Sequence, residues 1–587
     1  MPMPRYYVGL AATFHDPALA VVDERGEVLF AEASERFLQV KRAYGAAADP
    51  REVVRRVLRD HCDPQGEFVL AKAWSAPFTR LMEFQSLLGL ADHERLPRRA
   101  GGLTRYLCDR SVLFYSLWLQ HTSLRLSGGH FADILLRDHG NRRVRFVKFP
   151  HHLAHAANAC YTSPFTEAAC AVVDGQGEAG AMSFYAYRGG ELRRVAAARG
   201  PESIGILYSV CTDLAGFSSE GGEEWKLMGL APYGEPDPAV LEELRAIVRV
   251  DGLRLRYPRT PVLRAAFARL QRRARPPGAP AMAWAGFAAT VQAFYAETMS
   301  RLLGNFHALG LGDALVLGGG CGLNSSYNGR LLAETPFRQL HVPSAPGDDG
   351  NALGCALLAW RQDHPGRPAP ARVLPPYLGS AIAPRALEHL VRFSRLPGLR
   401  HLPGTVHEAA AELLAAGKLL GWVQGRAEFG PRALGNRSIL ADPRPAEMKD
   451  RINALVKFRE EFRPFAPSIL DEHGPEWFED YQVSPYMERT LRFTAAARAR
   501  VPAIVHVNAT GRLQSVRREW NERYHDLIAA FHRRTGVPML LNTSFNIMGK
   551  PIIHSLEDAL GVFHTTGLDA LVVGDYLIEE PPASGAP

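Results

Sequence analysis

The sequence predicts an α/β protein with a duplicated first domain and a second, smaller α/β domain. Residues 6–22 read as a strand, a polar turn and a second strand, and 28–31 reads as a third strand after another turn. The same order of strands and turns recurs at 167–188. Two units of one type in a chain indicate an internal duplication. The length of 587 residues also exceeds what one hydrophobic core organises.

The repeated hairpins resemble those of the actin, sugar-kinase and Hsp70 superfamily, in which each half gives one hairpin turn to the phosphates of a nucleotide. The turn at 174–178 follows an apolar strand and contains glycines, which let a backbone approach a phosphate closely. The buried strand at 315–318 enters another glycine turn. Lys226, in the glycine-bounded loop 220–234, is placed to pair with a phosphate. The pattern therefore predicts a nucleotide site in the first domain.

Proline and glycine mark the boundary between the two domains. The stretch 366–384 is rich in proline, as linkers often are. We predict that the first domain covers 1–365 and that the second covers 385–587. The spans 50–145 and 235–300 have mostly helical patterns, and the arginines of the latter suit either a solvated helix face or an acceptor-binding lobe.

Composition narrows the class of protein. Hydrophobic residues make up 47% of the chain and charged residues 22%, which argues against wholesale disorder. The seven cysteines form no Cys-x-x-Cys pair, as expected for reduced thiols in a cytoplasm. No stretch has the pattern of a signal peptide or a membrane span. The charge of +7 suits anionic small ligands, because basic stretches interleaved with aromatic residues are absent. We expect a cytoplasmic protein with no nucleic-acid or membrane partner, and a homodimer stays open.

His151 and His155 give the strongest chemical signal in the first domain. They lie four residues apart among helix formers, so both imidazoles face one side of a helix and can share a metal ion. Asp348, in a glycine-rich loop before a predicted helix, supplies a carboxylate. Two imidazoles and one carboxylate with open positions suit Fe(II) or another divalent ion. Asp349 is the competing ligand, and the spacing does not separate the two.

The second domain concentrates basic residues beside small polar ones. Residues 425–438 place three arginines among glycines, which suits a bound oxyanion. Lys457 and Arg463 follow, and 540–546 reads as a strand that breaks into small polar donors. These features predict a substrate that carries a phosphate or a carboxylate. A purely structural arginine network is the alternative.

Taken together, the motifs resemble the antibiotic and nodulation-factor O-carbamoyltransferases, and they keep that family's order from residue 7 to 578. The motifs are Phe-His-Asp at 14–16, Glu-Arg-Phe at 35–37, His-His-Leu-Ala-His-Ala at 151–156, Val-Asp-Gly-Gln-Gly-Glu at 173–178, Lys-Leu-Met-Gly-Leu-Ala at 226–231, Gly-Pro-Arg-Ala-Leu-Gly-Asn-Arg-Ser at 430–438, Phe-Arg-Pro-Phe-Ala-Pro-Ser at 462–468 and Leu-Asn-Thr-Ser-Phe-Asn at 541–546. The resemblance implies a TsaD-like domain of the actin and sugar-kinase type, followed by a YrdC-like α/β domain.

The resemblance also implies a two-step reaction. The YrdC-like domain would join carbamoyl phosphate and ATP, accompanied by Mg²⁺, into carbamoyl-adenylate. The TsaD-like domain, with an iron site at His151, His155 and Asp348, would transfer the carbamoyl group to a hydroxyl of a small-molecule acceptor. Aminoglycoside, macrolide, ansamycin, cephem and toxin alcohols all stay open as acceptors.

By position, the resemblance assigns three further sets of residues. Carbamoyl phosphate would be held by Lys457, Arg463, Arg512, Asn542 and Ser544. The nucleotide would be bound by Asp174, Gly175, Gln176, Gly177, Lys226, Gly319, Asn324, Arg432 and Arg437. The catalytic residues would be His15, Asp16 and Lys41, with His15 taking the proton of the acceptor.

Two departures from the family pattern and two rival functions accompany this interpretation. Lys41 is the best match to a more basic stretch that the family has after residue 37. The span 75–145 is long and apolar, and we expect it to shape a different acceptor pocket. A small-molecule kinase would explain the hairpins but not the second domain. A tRNA threonylcarbamoyl-type enzyme would suit the positive charge but not a fused two-domain chain.

Overall fold

The structure is a computed structural model that describes residues 3–12, 15–74, 123–367, 373–394, 396, 398–457, 460 and 462–579. Most of the apolar span expected to shape an acceptor pocket, 75–122, lies outside these residues. The mixed α/β class predicted from the sequence is confirmed. No helix among the described residues combines the length and the hydropathy that a bilayer crossing requires.

The first five-stranded sheet is built on the predicted N-terminal hairpin. Its strands are β1 (Arg5–Ala11), β2 (Ala18–Val22), β3 (Val28–Ala33), β4 (Glu67–Ala73) and β5 (Val144–Phe149). They lie in the order β3-β2-β1-β4-β5. The strand β1 pairs antiparallel with β2 and parallel with β4, and β4 pairs parallel with β5. The carboxyl ends of three parallel strands therefore meet at one edge.

A second five-stranded sheet repeats this arrangement. The next strands along the chain are β6 (Glu167–Val173), β7 (Met182–Arg188), β8 (Glu191–Ala197), β9 (Arg249–Asp251), β10 (Arg254–Arg256), β11 (Ala314–Gly318) and β12 (Gln339–His341). The sheet has the order β8-β7-β6-β11-β12, and β9 and β10 form a separate hairpin. As in the first sheet, the opening strand pairs antiparallel with the next strand and parallel with a later one. The two sheets thus share one topology.

Helices connect and cover the sheets of the first domain. They are α1 (Ser34–Leu38), α2 (Arg51–His61), α3 (Gly129–His139), α4 (His151–Tyr161), α5 (Ile204–Leu214), α6 (Glu224–Leu230), α7 (Pro238–Ile247), α8 (Thr260–Gln271), α9 (Ala285–His307), α10 (Ser325–Asn328), α11 (Leu331–Glu334) and α12 (Gly350–Asp363). Two of them, α4 and α12, follow the last strands of the first and second sheets and pack against each other. The contact is close, since a Cβ on Gly354 would lie 2.0 Å from the carbonyl oxygen of Ala154.

The span 50–145, expected to be mostly helical, also contains the strand β4 and the start of β5. The reason is physical. Residues 68–73 are buried in the middle of a parallel sheet, and their continuous apolar run has no alternation that would distinguish a strand from a buried helix. The span 235–300 is helical as predicted, with the hairpin of β9 and β10 inside it. Its helices pack into the core of the second half.

The second domain is organised by one nine-stranded sheet. The strands are β13 (Arg400–His401), β14 (Leu420–Val423), β15 (Arg437–Ala441), β16 (Ala466–Leu470), β17 (Arg489–Arg492), β18 (Thr510–Val516), β19 (Met539–Ser544), β20 (Ala570–Val573) and β21 (Tyr576–Glu579), in the order β13-β21-β20-β14-β15-β19-β16-β18-β17. The helices are α13 (Pro384–Phe393), α14 (Val406–Ala415), α15 (Met448–Ile452), α16 (Gly474–Trp477), α17 (Ala495–Arg500), α18 (Glu522–Thr535) and α19 (Leu556–Thr565). Its core is separate from those of the first domain.

Residues of the predicted linker hold the two domains together. Leu378 accepts a backbone hydrogen bond from Ala31 of the first domain at 2.9 Å. Ser380 donates to the buried carboxylate of Glu32 at 2.8 Å. Arg426 of the second domain donates to the carbonyls of Leu29 and Leu378. The described part of this stretch is therefore packed between the domains, while the domain limits themselves stay predictions.

Candidate functional site

Four side chains of the first domain converge where the end of β6 lies close to the starts of α4 and α12. They are His151, His155, Asp174 and Asp348, whose ligand atoms lie within 4.8 Å of one another. His151 begins α4 directly after Pro150, and His155 follows one turn later. Asp174 comes directly after β6, and Asp348 lies just before α12. The helix spacing and the strand ends together bring the four groups to one point, which we name the His-Asp cluster.

The ligand atoms of the His-Asp cluster face one another at short range. The Nε2 atoms of His151 and His155 are 3.2 Å apart. Asp174 Oδ2 lies 3.2 Å from His151 Nε2 and 3.5 Å from His155 Nε2. Asp348 Oδ1 lies 3.4 Å and 3.3 Å from the same two atoms. Both imidazoles are completely buried.

The electrostatics of the cluster favour a cation at its centre. Burial works to lower the pKa of His155, but the neighbouring carboxylates of Asp174 and Asp348 outweigh it and raise that pKa to about 10. Burial works to raise the pKa of Asp348, yet the histidines bring it well below its usual range. Two buried carboxylates thus require positive charge between them. Two imidazole nitrogens and two carboxylate oxygens are a ligand set that a divalent metal accepts, so the residues present fit such an ion.

The structure distinguishes between Asp348 and Asp349, the two carboxylates that the sequence left open as metal ligands. Asp349 does not join the His-Asp cluster, because its carboxylate accepts the backbone N–H of Gly350 at 3.0 Å at the start of α12. Asp174, predicted to border the nucleotide, belongs to the cluster, and its other oxygen accepts the N–H of Gly320 at 2.9 Å. Asp174 is therefore also a candidate metal ligand, and its role towards a nucleotide stays a prediction. Spacing in the sequence could not bring Asp174 to the histidines, since it follows a strand that is distant from them in the chain.

Trp74 covers one ligand of the cluster and carried no signal in the sequence. Its ring stacks on that of His151, with the ring centroids 4.1 Å apart and an angle of 23° between the planes. It is buried at the carboxyl end of β4, with a left-handed backbone (φ +71°) that is costly for a bulky residue. Strain of this kind gathers at functional sites.

His15 and Asp16 lie at the opening of the cluster, in the first hairpin turn. Asp16 Oδ2 is 2.8 Å from His15 Nδ1, and Arg42 binds the same oxygen at 3.3 Å. His15 Nδ1 is 3.9 Å from Asp348 Oδ2. A carboxylate at Nδ1 orients an imidazole so that Nε2 acts as the base. Two of the three predicted catalytic residues are thus together, and their catalytic role stays a prediction.

Five of the predicted nucleotide residues lie in the turns that follow β6 and β11. Gly175 is open, because a Cβ there would meet nothing within 4 Å, and Gln176 is exposed. Gly177 packs on His152, whose Nδ1 is 2.9 Å from Ser183 Oγ. The other two follow β11: Gly319 has φ +88°, and the side-chain oxygen of Asn324 accepts the N–H of Tyr327 at the start of α10.

A second polar site in the other domain gathers Lys457 and Ser544. Lys457 Nζ donates to the carbonyl of Ser544, and it reaches Ser544 Oγ at 3.4 Å and Asn546 Oδ1 at 2.8 Å. Asn542 lies on β19 with its Nδ2 2.9 Å from Ser468 Oγ. Arg512 is partly buried on β18. Their roles towards carbamoyl phosphate stay predictions.

Arg463, also predicted to hold carbamoyl phosphate, contacts the first domain. Its guanidinium lies over the ring of Trp225 at 3.9 Å, and its Nη1 is 3.2 Å from Glu460. Lys226 Nζ binds the same carboxylate at 2.9 Å, across the domain interface. Burial lowers the pKa of Lys41, whose charge also interacts with those of Arg463 and Lys226. Three predicted cations from both domains therefore share one neighbourhood.

The two arginines of the 430–438 motif have different surroundings. Arg432 is partly exposed, and burial lowers its pKa to about 10. Arg437 is completely buried. Its guanidinium donates to the carbonyls of Gln424, Asn436, Ser380 and Gly425 at 2.7–3.2 Å. These contacts favour the alternative of a structural arginine network at this position, and the role of Arg437 towards a nucleotide stays a prediction.

Comparison with known proteins gives the family context. The sequence model described as "Carbamoyltransferase N-terminus" matches residues 6–357, and that described as "Carbamoyltransferase C-terminus" matches 411–580. Nodulation protein NolNO of Sinorhizobium fredii is 39% identical over 460 residues, which cover 75% of this chain and 65% of that protein. Nodulation protein NolO of Bradyrhizobium diazoefficiens is 38% identical over 451 residues, covering 74% and 79%.

A relative with a named reaction and one solved structure complete the comparison. The 3'-hydroxymethylcephem-O-carbamoyltransferase of Amycolatopsis lactamdurans is 30% identical over 474 residues, covering 78% of this chain and 85% of that protein. Full-length HypF in its phosphate- and nucleotide-bound form aligns with 61% of this chain and 55% of its own, at 13% identity and a TM-score of 0.35. That structural similarity is too low to support a functional inference.

Proposed function

The chain belongs to the carbamoyltransferase family, and from that premise we propose that it carries a carbamoyl group from carbamoyl phosphate to a hydroxyl of a small molecule, using ATP. The observation that supports this proposal best is that each domain contains a polar site. These are the buried His-Asp cluster in one domain and the site around Lys457 and Ser544 in the other. A two-step reaction needs two such sites, one to activate the donor and one to transfer it.

The first step is donor activation in the second domain. Carbamoyl phosphate is a poor donor to a neutral alcohol, and adenylation gives it a better leaving group. Carbamoyl phosphate, ATP and water would give carbamoyl-adenylate, pyrophosphate and phosphate. Lys457 and Arg463 would neutralise phosphate charge, and Ser544 would donate a hydrogen bond to a phosphate oxygen. We assign this domain the YrdC-like type.

The second step is transfer in the first domain, which we assign to the TsaD-like, actin and sugar-kinase type. His15 would take the proton of the acceptor hydroxyl as that oxygen attacks the carbamoyl carbon, and AMP would leave. Asp16 would hold the imidazole in the required orientation. When bound, a divalent cation such as Fe(II) would supply Lewis acidity at the His-Asp cluster. The buried position of the cluster keeps water away from a hydrolysable donor.

Several partner and location predictions complete the proposal. ATP would enter with Mg²⁺, and the acceptor would be a hydroxylated small molecule. We propose a cytoplasmic location, in keeping with the unpaired thiols of the six cysteines that the structure describes. We expect no nucleic-acid partner, which retention on immobilised tRNA at physiological salt would contradict. A homodimer stays open.

The fate of ATP tests the proposed function directly. Incubation with carbamoyl phosphate and ATP should release pyrophosphate, because the adenylate route breaks the α–β phosphate bond, and AMP should follow once the carbamoyl group of the adenylate is transferred or hydrolysed. Chromatography of the nucleotides and an assay for pyrophosphate measure the two products. A kinase would instead yield ADP and a phosphorylated acceptor, so ADP as the main product would contradict the proposal.

Replacing Arg463 with alanine should weaken donor activation. The change removes a forked, permanently charged donor, and hydrogen bonds to charged groups contribute about 1.5–3 kcal/mol each. Pyrophosphate release that depends on carbamoyl phosphate should therefore fall roughly tenfold to a hundredfold. The matched control is Arg400→Ala. It removes an exposed arginine of the edge strand β13, whose guanidinium is paired with Glu579. Equal release by both variants would remove Arg463 from the donor site.

A further inference from the structure

Asn351 lies against the His-Asp cluster without a role in the mechanism above. It is the second residue of α12 and is completely buried. Its Nδ2 is 3.1 Å from His155 Nε2 and 3.4 Å from His151 Nδ1. Its Oδ1 has no hydrogen-bond partner among the described residues, although the atom is buried. A buried amide oxygen without a hydrogen-bond donor costs free energy. This indicates that the oxygen has a donor in another state of the site.

A bound cation would change the hydrogen-bond partner that His151 needs from Asn351, from a donor to an acceptor. Both histidines point Nε2 at the shared centre, so both would bind a cation through Nε2 and carry the proton on Nδ1. The Nδ1–H of His151 would then need an acceptor, and an N–H of Asn351 would point towards positive charge. Turning the carboxamide by 180° exchanges its nitrogen and oxygen with little change in shape. The oxygen would then accept from His151 Nδ1 and face the cation with its partial negative charge.

We propose that Asn351 is a positioning residue for a divalent cation, which presents its amide oxygen to His151 Nδ1 when the cation is bound. The inference rests on the proposed metal role of the His-Asp cluster. It also explains how the ring of His151 is fixed. Trp74 stacks on the ring and sets its tilt, and an acceptor at Nδ1 sets its rotation about the ring axis. Partners of this kind orient metal-binding histidines and raise their basicity.

The test compares three side chains at one position by their affinity for Co²⁺ alone. Asn351→Ala removes both the donor and the acceptor, and its Kd for Co²⁺ should rise about 10- to 100-fold, as for other second-sphere partners of metal ligands. Asn351→Asp keeps the shape and offers only acceptors, so it should bind Co²⁺ at least as tightly as the unaltered protein. Competition with a chelator gives the Kd, and the visible absorption of Co²⁺ reports the geometry at the ion.

The aspartate variant distinguishes the two possible roles of the amide. A donor role would make Asn351→Asp as weak as Asn351→Ala or weaker, and this result would overturn the proposal. Ala179→Asp adds a carboxylate on the exposed turn after Asp174 and controls for a general effect of charge. If Ala179→Asp tightens Co²⁺ binding as much as Asn351→Asp does, the effect comes from added charge, and this result contradicts an acceptor role for Asn351. Unchanged affinity in Asn351→Ala also contradicts it.

The outcomes remain separate from those of the proposed function. The titration contains no carbamoyl phosphate and no ATP, so it does not depend on carbamoyl transfer. A complete lack of Co²⁺ binding by the unaltered protein would overturn this inference together with the metal role of the cluster. The release of AMP and pyrophosphate is measured in a separate assay, so its result does not depend on the Co²⁺ titration.

Discussion

A protein in which His155 is replaced by alanine should be purified almost without divalent metal. The change removes one of four converging ligand atoms and leaves Asp174 and Asp348 without one of their two cationic neighbours. The loss in affinity should exceed the roughly 10- to 100-fold change that follows the loss of a residue merely supporting a metal ligand. Metal analysis of the purified protein, and titration of the metal-free protein with Fe²⁺ or Co²⁺, measure the effect.

His152 provides a matched control on the same helix. It is buried between His151 and His155, but its ring faces Ser183 and stays outside the cluster. Burial, followed by the charge of His151, lowers the pKa of His152 to about 3. His152→Gln should therefore retain the metal content of the unaltered protein. Equal metal content in His155→Ala and His152→Gln would show that the cluster does not bind the ion.

The replacement of His15 by alanine should separate the two half-reactions. Donor activation takes place in the other domain, so pyrophosphate release should stay within about twofold of the unaltered protein. Transfer to the acceptor should fall by about 10²–10⁴, the usual loss when a general base is removed. The two rates are measured in one reaction mixture, as pyrophosphate release and as carbamoylated acceptor detected by mass spectrometry.

Asp16 supplies a second, graded substitution for the same prediction. Asp16→Asn keeps the shape of the side chain but removes the charge that His15 Nδ1 and Arg42 both contact. It should slow transfer less than His15→Ala does, and it should also leave pyrophosphate release unchanged. If His15→Ala loses both half-reactions equally while Arg463→Ala loses neither, the proposed division of labour between the domains is wrong.

Local patterns predicted the fold where a short segment determines its own structure. The hairpins at 6–22 and 167–188 each pair two strands that are consecutive in the sequence and joined by a turn. Both were therefore predictable. The pair of His151 and His155 was predictable for the same reason, because helix geometry fixes a spacing of four. The strand β4 was not, because its apolar run reflects burial on both faces rather than a period.

The rest of the site depends on contacts between distant segments. Asp174 meets the histidines only because β6 ends beside the start of α4, and no spacing in the sequence encodes that meeting. The choice between Asp348 and Asp349 required the capping bond to Gly350. Arg437 belongs to a glycine- and arginine-rich motif that is typical of ligand binding. Its four carbonyl acceptors, which favour a structural role, come from the folded loops around it and are not encoded by the motif.

The two units of the first domain, each made of one sheet and its following helix, contribute different kinds of ligand to the His-Asp cluster. Of the four members of the cluster, the unit that ends with α4 supplies the two imidazoles, His151 and His155. The unit that ends with α12 supplies only carboxylates, Asp174 and Asp348. Neither unit alone holds both kinds of ligand, and two carboxylates brought together without the imidazoles would repel each other in a buried place. The complete ligand set exists only when α4 and α12 are packed together, so the formation of this site is coupled to the packing of both units.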